Sequence, residues 1–470
     1  MQLSLTPKTS QPLVEQIVGE IGRRIAARQL AAGQKLPSIR RLAAENRVST
    51  FTVIEAYDRL VAAGLLSSRR NSGFYVATRR QPLTLAPAAA EPEVAPDRDI
   101  DPVWIMRQSL TLDEKLLKPG CGWLPNDWLN EEALRRKLHE VGRAPQARLL
   151  EYGHPLGYLP LRQQLQLRLA GLGIEAPPQR LLLTDGASQA IDLVCRFLLQ
   201  PGDTVLIDDP GYFNFQGVAR AHRAQIVGVP LTPAGIDLAA FEALLIRHRP
   251  KLYLMNAALQ NPTGLTMSAG TAYRLLRLAE AHDLRILEDD IFADFQAAPG
   301  QRLAALDQLD RVIYLGSFSK TLSAATRCGF IACRADWIEG LTDLKLATSF
   351  GNNDLAAQLV SRLLADGSYR KHVEAIRDRL RGTMAETRRR LAQRGLGLWS
   401  EPEEGLFLWA RLPDGIDSAR IARQALREGI VLAPGNVFSV AQTAGAFLRF
   451  NVAQSGPMRI FEFLSGAISG

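Results

Sequence analysis

A few short stretches in the second half of the chain carry side chains able to bind and to react. They are Asp185-Gly186-Ala187-Ser188-Gln189, Asn261-Pro262-Thr263-Gly264, Glu288-Asp289-Asp290, and Ser317-Phe318-Ser319-Lys320 with Arg327 seven residues further on. The Lys320 amine is a nucleophile for a carbonyl. Ser317, Ser319 and Arg327 suit a phosphate, the planar guanidinium giving two parallel charge-assisted hydrogen bonds. Ala187 and Ser188 open a helix whose free N–H groups and positive dipole end attract the same anion. Asn261 can hold an amide against a ligand oxygen, and Asp289 ends a strand where a carboxylate beside a cation is expected. An amine for a Schiff base, a carboxylate for a pyridine nitrogen, an amide for a ring hydroxyl and a phosphate cradle are together what pyridoxal phosphate requires. Tyr212 adds an aromatic ring that suits either a ligand face or the core.

The elements that must position these groups are legible as alternation. From about Leu112 onward, short apolar runs alternate with helical patterns, which predicts an α/β body with a mainly parallel sheet. Strands are expected at Leu181–Thr184, Thr204–Asp208, Leu252–Met255, Arg285–Glu288 and Val312–Gly316. Each reactive stretch follows the carboxyl end of one of them, where open α/β sheets bind ligands.

The beginning of the chain has a different character. The first 80 residues hold thirteen Lys and Arg against five Asp and Glu, while the remainder balances at 43 of each, so the net charge of +8 resides in this segment. Leu13, Ile17, Ile21 and Ile25 form one apolar stripe of a helix ending near Leu30. A second short helix starts at Ser38, and Ser49 caps a third with Val53, Ala56, Tyr57 and Leu60 inward, stopped by Gly64. Leu65–Ser68 and Phe74–Val76 flank a basic hairpin tip. Three helices and a hairpin predict a winged helix-turn-helix. Arg40, Ser49, Thr50, Thr52, Arg69, Arg70 and Gly73 then lie where the phosphates and base edges of double-stranded DNA would be reached.

Pro82, Pro87, Pro92, Pro96 and Pro102 mark a linker. The expected organisation is therefore a DNA-binding domain at 1–77, a Pro-rich linker at 78–111 and a large body at 112–470. Cys121, Cys195, Cys328 and Cys333 have no disulfide or zinc spacing, the six histidines lack metal-ligand spacing, and no apolar run is long enough to span a membrane. A cytoplasmic protein without a metal site or membrane segment is expected.

The stretch "KLPSIRRLAAENRVSTFTVIEAYDRLVAAGLLSSRRNSGFYV" resembles the GntR superfamily of bacterial regulators over residues 11–77, with Thr50 where many members carry Arg. Residues 112–470, with "NPTG", "EDD" and "SFSK" in order, resemble the fold type I aminotransferases, and the joined architecture resembles the MocR subfamily of GntR regulators. That resemblance implies that Lys320 forms the internal aldimine, Asp289 pairs the pyridine nitrogen, Asn261 bonds the ring oxygen and Tyr212 stacks on the ring. It gives Ala187, Ser188, Ser317, Ser319 and Arg327 to the phosphate, Tyr152 in "YGHPLGYLPLR" to the neighbouring subunit's cofactor, and Arg449 in "FLRFNVA" to an amino acid carboxylate. Two departures are Ile291 and Phe292, where members often carry a tyrosine, and Ser323-Ala324-Ala325-Thr326 in place of Ala-Pro-Gly-Leu. The implied function is a homodimeric, pyridoxal phosphate-dependent transcriptional regulator sensing an amino acid or amine through an external aldimine. The alternatives are an active aminotransferase with an appended DNA-binding domain and a regulator responding to the cofactor itself.

Overall fold

Serines start two of the first three helices by accepting a backbone N–H: Ser38 Oγ from Arg41 N at 3.3 Å and Ser49 Oγ from Thr52 N at 3.0 Å. In the computed structural model the helices are Leu13–Ala26, Ile39–Asn46 and Thr50–Ala62, followed by the antiparallel strands β1 (Leu66–Arg69) and β2 (Gly73–Val76). Their inward stripes meet in one small core of Ile17, Ile21, Leu42, Val53, Ala56, Tyr57, Leu60, Leu66 and Val76. The first helix stops four residues short of Leu30. Arg28 takes a left-handed conformation (φ 56°), and Gln29 N and Leu30 N turn back onto Arg24 O at 2.9 and 3.2 Å, a C-terminal cap that the apolar stripe does not reveal.

The structure describes residues 1–6, 11–69, 72–77, 100–111, 113, 115–144, 149–298 and 300–469. They form two compact units, Met1–Asp97 and Arg98–Gly470. Arg70 of the basic hairpin tip and residues 78–99 of the linker lie outside the described residues.

In the large unit the strands are β3 (Leu181–Thr184), β4 (Thr204–Asp209), β5 (Gln225–Thr232), β6 (Gly235–Ile236), β7 (Leu252–Met255), β8 (Arg285–Asp289), β9 (Val312–Ser317) and β10 (Gly329–Ala332). They form one sheet in the order β3-β10-β9-β8-β7-β4-β5-β6. The central pairs are parallel, while β10 runs antiparallel to both β3 and β9. Residues of β3, β7, β9 and β10 are buried on both faces almost throughout, as helix-covered parallel sheets require. Three expected strands extend one residue further than their apolar runs, which makes Asp209, Asp289 and Ser317 the last residues of β4, β8 and β9. A second, antiparallel sheet joins β11 (Gly397–Leu398), β12 (Phe407–Arg411), β14 (Phe447–Asn451) and β13 (Ala433–Pro434).

Pro102–Leu110, which its prolines placed in the linker, is a helix. Pro102 occupies its first turn and Asp101 Oδ1 accepts from Trp104 N at 2.7 Å, the favourable place for proline. Ile100 and Ile105 are buried in the core of the large unit, and Ile100 O accepts a hydrogen bond from Asn436 Nδ2 at 3.1 Å. The chain therefore enters the large body at residue 100.

Candidate functional site

The carboxyl edge of the parallel strands gathers the reactive groups. Lys320 follows β9 by three residues, and Asp289 ends the neighbouring β8 with its side chain 1% exposed. Asp289 Oδ1 accepts from Ile291 N at 3.2 Å, and Asn256 Nδ2 holds the Asp289 carbonyl at 2.7 Å. Asp289 Oδ2, also buried, has no protein donor. Burial, reinforced by the neighbouring Asp290 carboxylate and opposed by Lys320 and the Ile291 N–H, pushes the Asp289 carboxyl up to about 7. Burial, with Arg449 and Arg327 adding to it, brings the Lys320 amine down to about 8. A larger share of it is therefore neutral and nucleophilic near neutral pH than for an exposed lysine.

Above the amine passes the loop Pro119–Trp123. A Cβ added at Gly122 would stand 3.8 Å from Lys320 Nζ, and the buried Cys121 borders both Lys320 and Arg449. The loop is pinned by Asn451, whose N–H reaches Pro119 O at 2.7 Å and whose Nδ2 reaches Cys121 O at 3.1 Å and Trp123 O at 2.8 Å.

Arg449, on β14, is 2% exposed and lies between aromatic faces, 4.5 Å from the Phe407 centroid and 4.8 Å from that of Phe438. Its Nη1 donates to Asn261 Oδ1 at 2.7 Å and its Nη2 to Gly120 O at 2.5 Å, while Nε is buried without a partner. Burial brings its guanidinium down to about 10. Tyr212 immediately precedes the helix Phe213–Ala221 and is half-buried, with burial and the Asp289 charge raising its phenol to about 12.

The residues expected to hold an anion meet where β3 turns into the helix Ala187–Leu198. Gly186 has φ 83°, a conformation that favours glycine, and a Cβ there would stand 2.8 Å from Arg327 Nη2, so the guanidinium would have to shift to admit one. Arg327 Nη2 also donates to Asp185 O at 3.0 Å. Ser317 Oγ lies 3.1 Å from Ser319 Oγ and accepts from Ser319 N at 3.2 Å. Ala187 is half-buried and Ser188 exposed at the helix start.

The positions named by departures are also resolved. Ile291 and Phe292 are buried, Phe292 meeting Phe407 edge-on at 5.4 Å, so no hydroxyl is supplied from either. Ser323 caps a 3-10 turn at Ala324–Thr326, which delivers Arg327 in a left-handed conformation. Tyr152 is not gathered into this cluster: it is 79% exposed with its ring 4.8 Å from that of Phe350.

The residues fit pyridoxal phosphate on structural grounds alone. Asp289 Oδ2 and Arg449 Nε are buried polar atoms that nothing in the chain satisfies, and such atoms cost free energy unless a ligand meets them. The Gly186 cradle has the shape and charge for a phosphate. Sequence reading missed Asn256, Cys121 and Gly122, and no motif marks the last two: they arrive from a loop almost 200 residues before Lys320 in the chain. Among the described residues no cluster of three or more His, Cys, Asp or Glu can hold a metal ion.

In the small unit, Arg40, Ser49, Thr50 and Arg69 are exposed, and Thr52 and Gly73 half-buried. Thr52 Oγ1 is engaged with Ser49 Oγ at 2.7 Å. The wing shows a group the sequence reading missed: Arg69 Cζ lies 4.5 Å and Lys35 Nζ 5.8 Å from the Tyr75 ring centroid. Arg47, in the turn before the third helix at φ 53°, is a further exposed cation.

Residues 125–465 match the family of class I and II aminotransferases, and residues 13–76 match the gntR family of bacterial regulatory proteins. An uncharacterised HTH-type transcriptional regulator of Bacillus subtilis is 30% identical over 94% of this chain and 92% of its own. The probable rhizopine catabolism regulatory protein MocR of Rhizobium meliloti is 28% identical over 90% of this chain and 86% of its own. Among solved structures, the α-aminoadipate aminotransferase of Thermus thermophilus, complexed with N-(5'-phosphopyridoxyl)-L-leucine, superposes with a TM-score of 0.72 at 26% identity, covering 78% of this chain and 94% of the enzyme.

Proposed function

Because the chain belongs to the class I and II aminotransferase family and carries a gntR-family module ahead of that body, we propose that it senses an amino acid or amine at Lys320 and reports it to DNA. It is a helix-turn-helix transcriptional regulator of the MocR kind, and its cofactor is pyridoxal phosphate. When bound, that cofactor supplies an aldehyde that condenses with amines and a ring that withdraws electrons.

The chain's own groups hold each part of it. Lys320 presents a partly neutral amine in a site closed by the Cys121-Gly122 loop. Asp289 Oδ2, buried without a donor from the chain, would pair the ring nitrogen and hold a proton there, Asn261 would meet the ring oxygen and Tyr212 would cover a ring face. Ser317, Ser319, Arg327 and the helix start at Ala187 and Ser188 would hold its phosphate. Arg449, steadied by Asn261 and two aromatic rings, grips the effector's carboxylate. Tyr152, exposed on its own subunit, serves the partner's cofactor in a homodimer, which also pairs two DNA-reading modules for a two-fold operator. Arg40, Ser49, Thr50, Thr52, Arg69, Arg70 and Gly73 contact DNA. A cytoplasmic location follows from that partner; among the described residues no helix is long and apolar enough to cross a membrane.

The observation that carries this reading is the buried, unpartnered Asp289 Oδ2 beside the Lys320 amine. Borohydride reduction followed by mass spectrometry is expected to find the cofactor's mass on Lys320, absent in Lys320→Ala. Sensing is tested by gel shifts of the DNA beside the protein's own gene with and without candidate amino acids. No change in affinity with any of them would reject it. The complete set of Lys320, Asp289 and Arg449 also favours a second reading, turnover as an aminotransferase, which sustained conversion of a keto acid acceptor would establish.

A further inference from the structure

The outward face of the helix Thr50–Ala62 is apolar where a reader of guanine or adenine carries a guanidinium or an amide. Phe51 is 72% exposed and Ile54 is 41% exposed, three residues apart and hence neighbours on one face of its first turns. Thr50 is exposed beside them. The helix contains no Lys, Asn or Gln, and its one arginine, Arg59, sits at the far end in an ion pair with Glu55 at 2.6 Å. Thr52 Oγ1 already shares one hydrogen bond with Ser49 Oγ. Asp58, exposed a turn beyond Ile54, would be repelled by phosphates, which confines close approach to the first two turns.

Exposed cations lie on the elements before and after this helix, and none lies on its first two turns. Arg40 and Arg47 are exposed on the preceding helix and turn, and Lys35 and Arg69 lie over the Tyr75 ring on the wing. These cations suit phosphates, and phosphate contacts position a protein without reading sequence. In the major groove, the apolar group displayed by base edges is the thymine C5-methyl. We propose that Phe51, with Ile54 beside it, reads thymine methyl groups in the major groove, so that each half-site is selected by apolar contact with A·T pairs. This rests on the reading of the small unit as a DNA-binding module.

The full-length protein should be challenged with a duplex library of twenty randomised base pairs, synthesised once with thymidine and once with deoxyuridine, which lacks the methyl. Wild-type protein is expected to enrich duplexes with fixed thymines, and replacing those thymines by deoxyuridine should weaken binding about fourfold per methyl, the factor that burying one methylene-sized group gives. Phe51→Ala should bind both versions alike while retaining the wild-type salt dependence, and Ile54→Ala should lose a smaller part of the preference. Equal binding of both versions by the wild type, or an undiminished thymine preference in Phe51→Ala, overturns the proposal while leaving DNA binding intact. A changed oligomeric state of Phe51→Ala with its thymine preference intact assigns the patch to a second copy and overturns it as well. Capture of no duplex from either library rejects the DNA-binding reading and the proposal together.

Discussion

The two units place their working groups in opposite environments. In the small unit the cations and the Phe51–Ile54 face stand in solvent, and ion pairs such as Arg59–Glu55 are half-exposed. In the large unit Asp289, Asn261 and Arg449 are almost wholly buried, and the Arg302–Asp290 pair behind them has side chains 0% and 2% exposed. A surface that meets a polyanion gains from charge kept hydrated until contact. A site that holds a small cofactor needs its polar groups fixed in advance, at the expense of atoms such as Asp289 Oδ2 left unmatched by the chain.

Breaking the buried pair should give the largest effect. Arg302→Met leaves Asp290 facing Tyr314 without its cation and is expected to destabilise the large unit by about 3–5 kcal/mol in denaturant unfolding. Gly186→Ala comes next. The added Cβ meets Arg327 and the positive φ is strained, so a loss of roughly 1–2 kcal/mol and a more than tenfold weaker hold on pyridoxal phosphate are expected by calorimetry and absorbance titration.

The pH dependence of Lys320 sharpens the contrast. Its pKa is lowered to about 8, so the neutral, reactive form predominates above that pH. Capture of pyridoxal phosphate by the apo-protein should accelerate about tenfold per pH unit up to pH 8 and then level off, whereas an ordinary lysine would keep accelerating beyond pH 10. Stopped-flow absorbance distinguishes the two. At the small end, Arg59→Met should cost less than about 0.5 kcal/mol in stability. Arg69→Ala should leave folding unchanged and reduce the salt slope of DNA binding by about one.

How much of this was legible in the sequence depends on what each residue answers to. The strand runs were readable because both faces of a helix-covered sheet must be apolar, and their last residues were missed because Asp209, Asp289 and Ser317 are polar. Lys320, Asp289, Asn261 and Arg327 announced themselves through short local patterns at strand ends. Cys121 and Asn256 did not, since they act through a loop crossing and a backbone carbonyl that no local spacing encodes. Pro102 reads as linker by composition and is the first residue of a packed helix, because proline is tolerated at both places. In the small unit the charge count pointed to a polyanion, but it could not show that the presented helix face is apolar, which depends on which residues the three-helix core leaves outside.

The turn Gly435–Phe438 links two features that are far apart in sequence. Its Asn436 is the peg on which the chain arriving from the small unit is fastened at Ile100, and its Phe438 lies against the Arg449 guanidinium. One four-residue turn therefore braces both the arginine of the site and the point where the chain enters the large body, so a substitution that displaces this turn is felt at both.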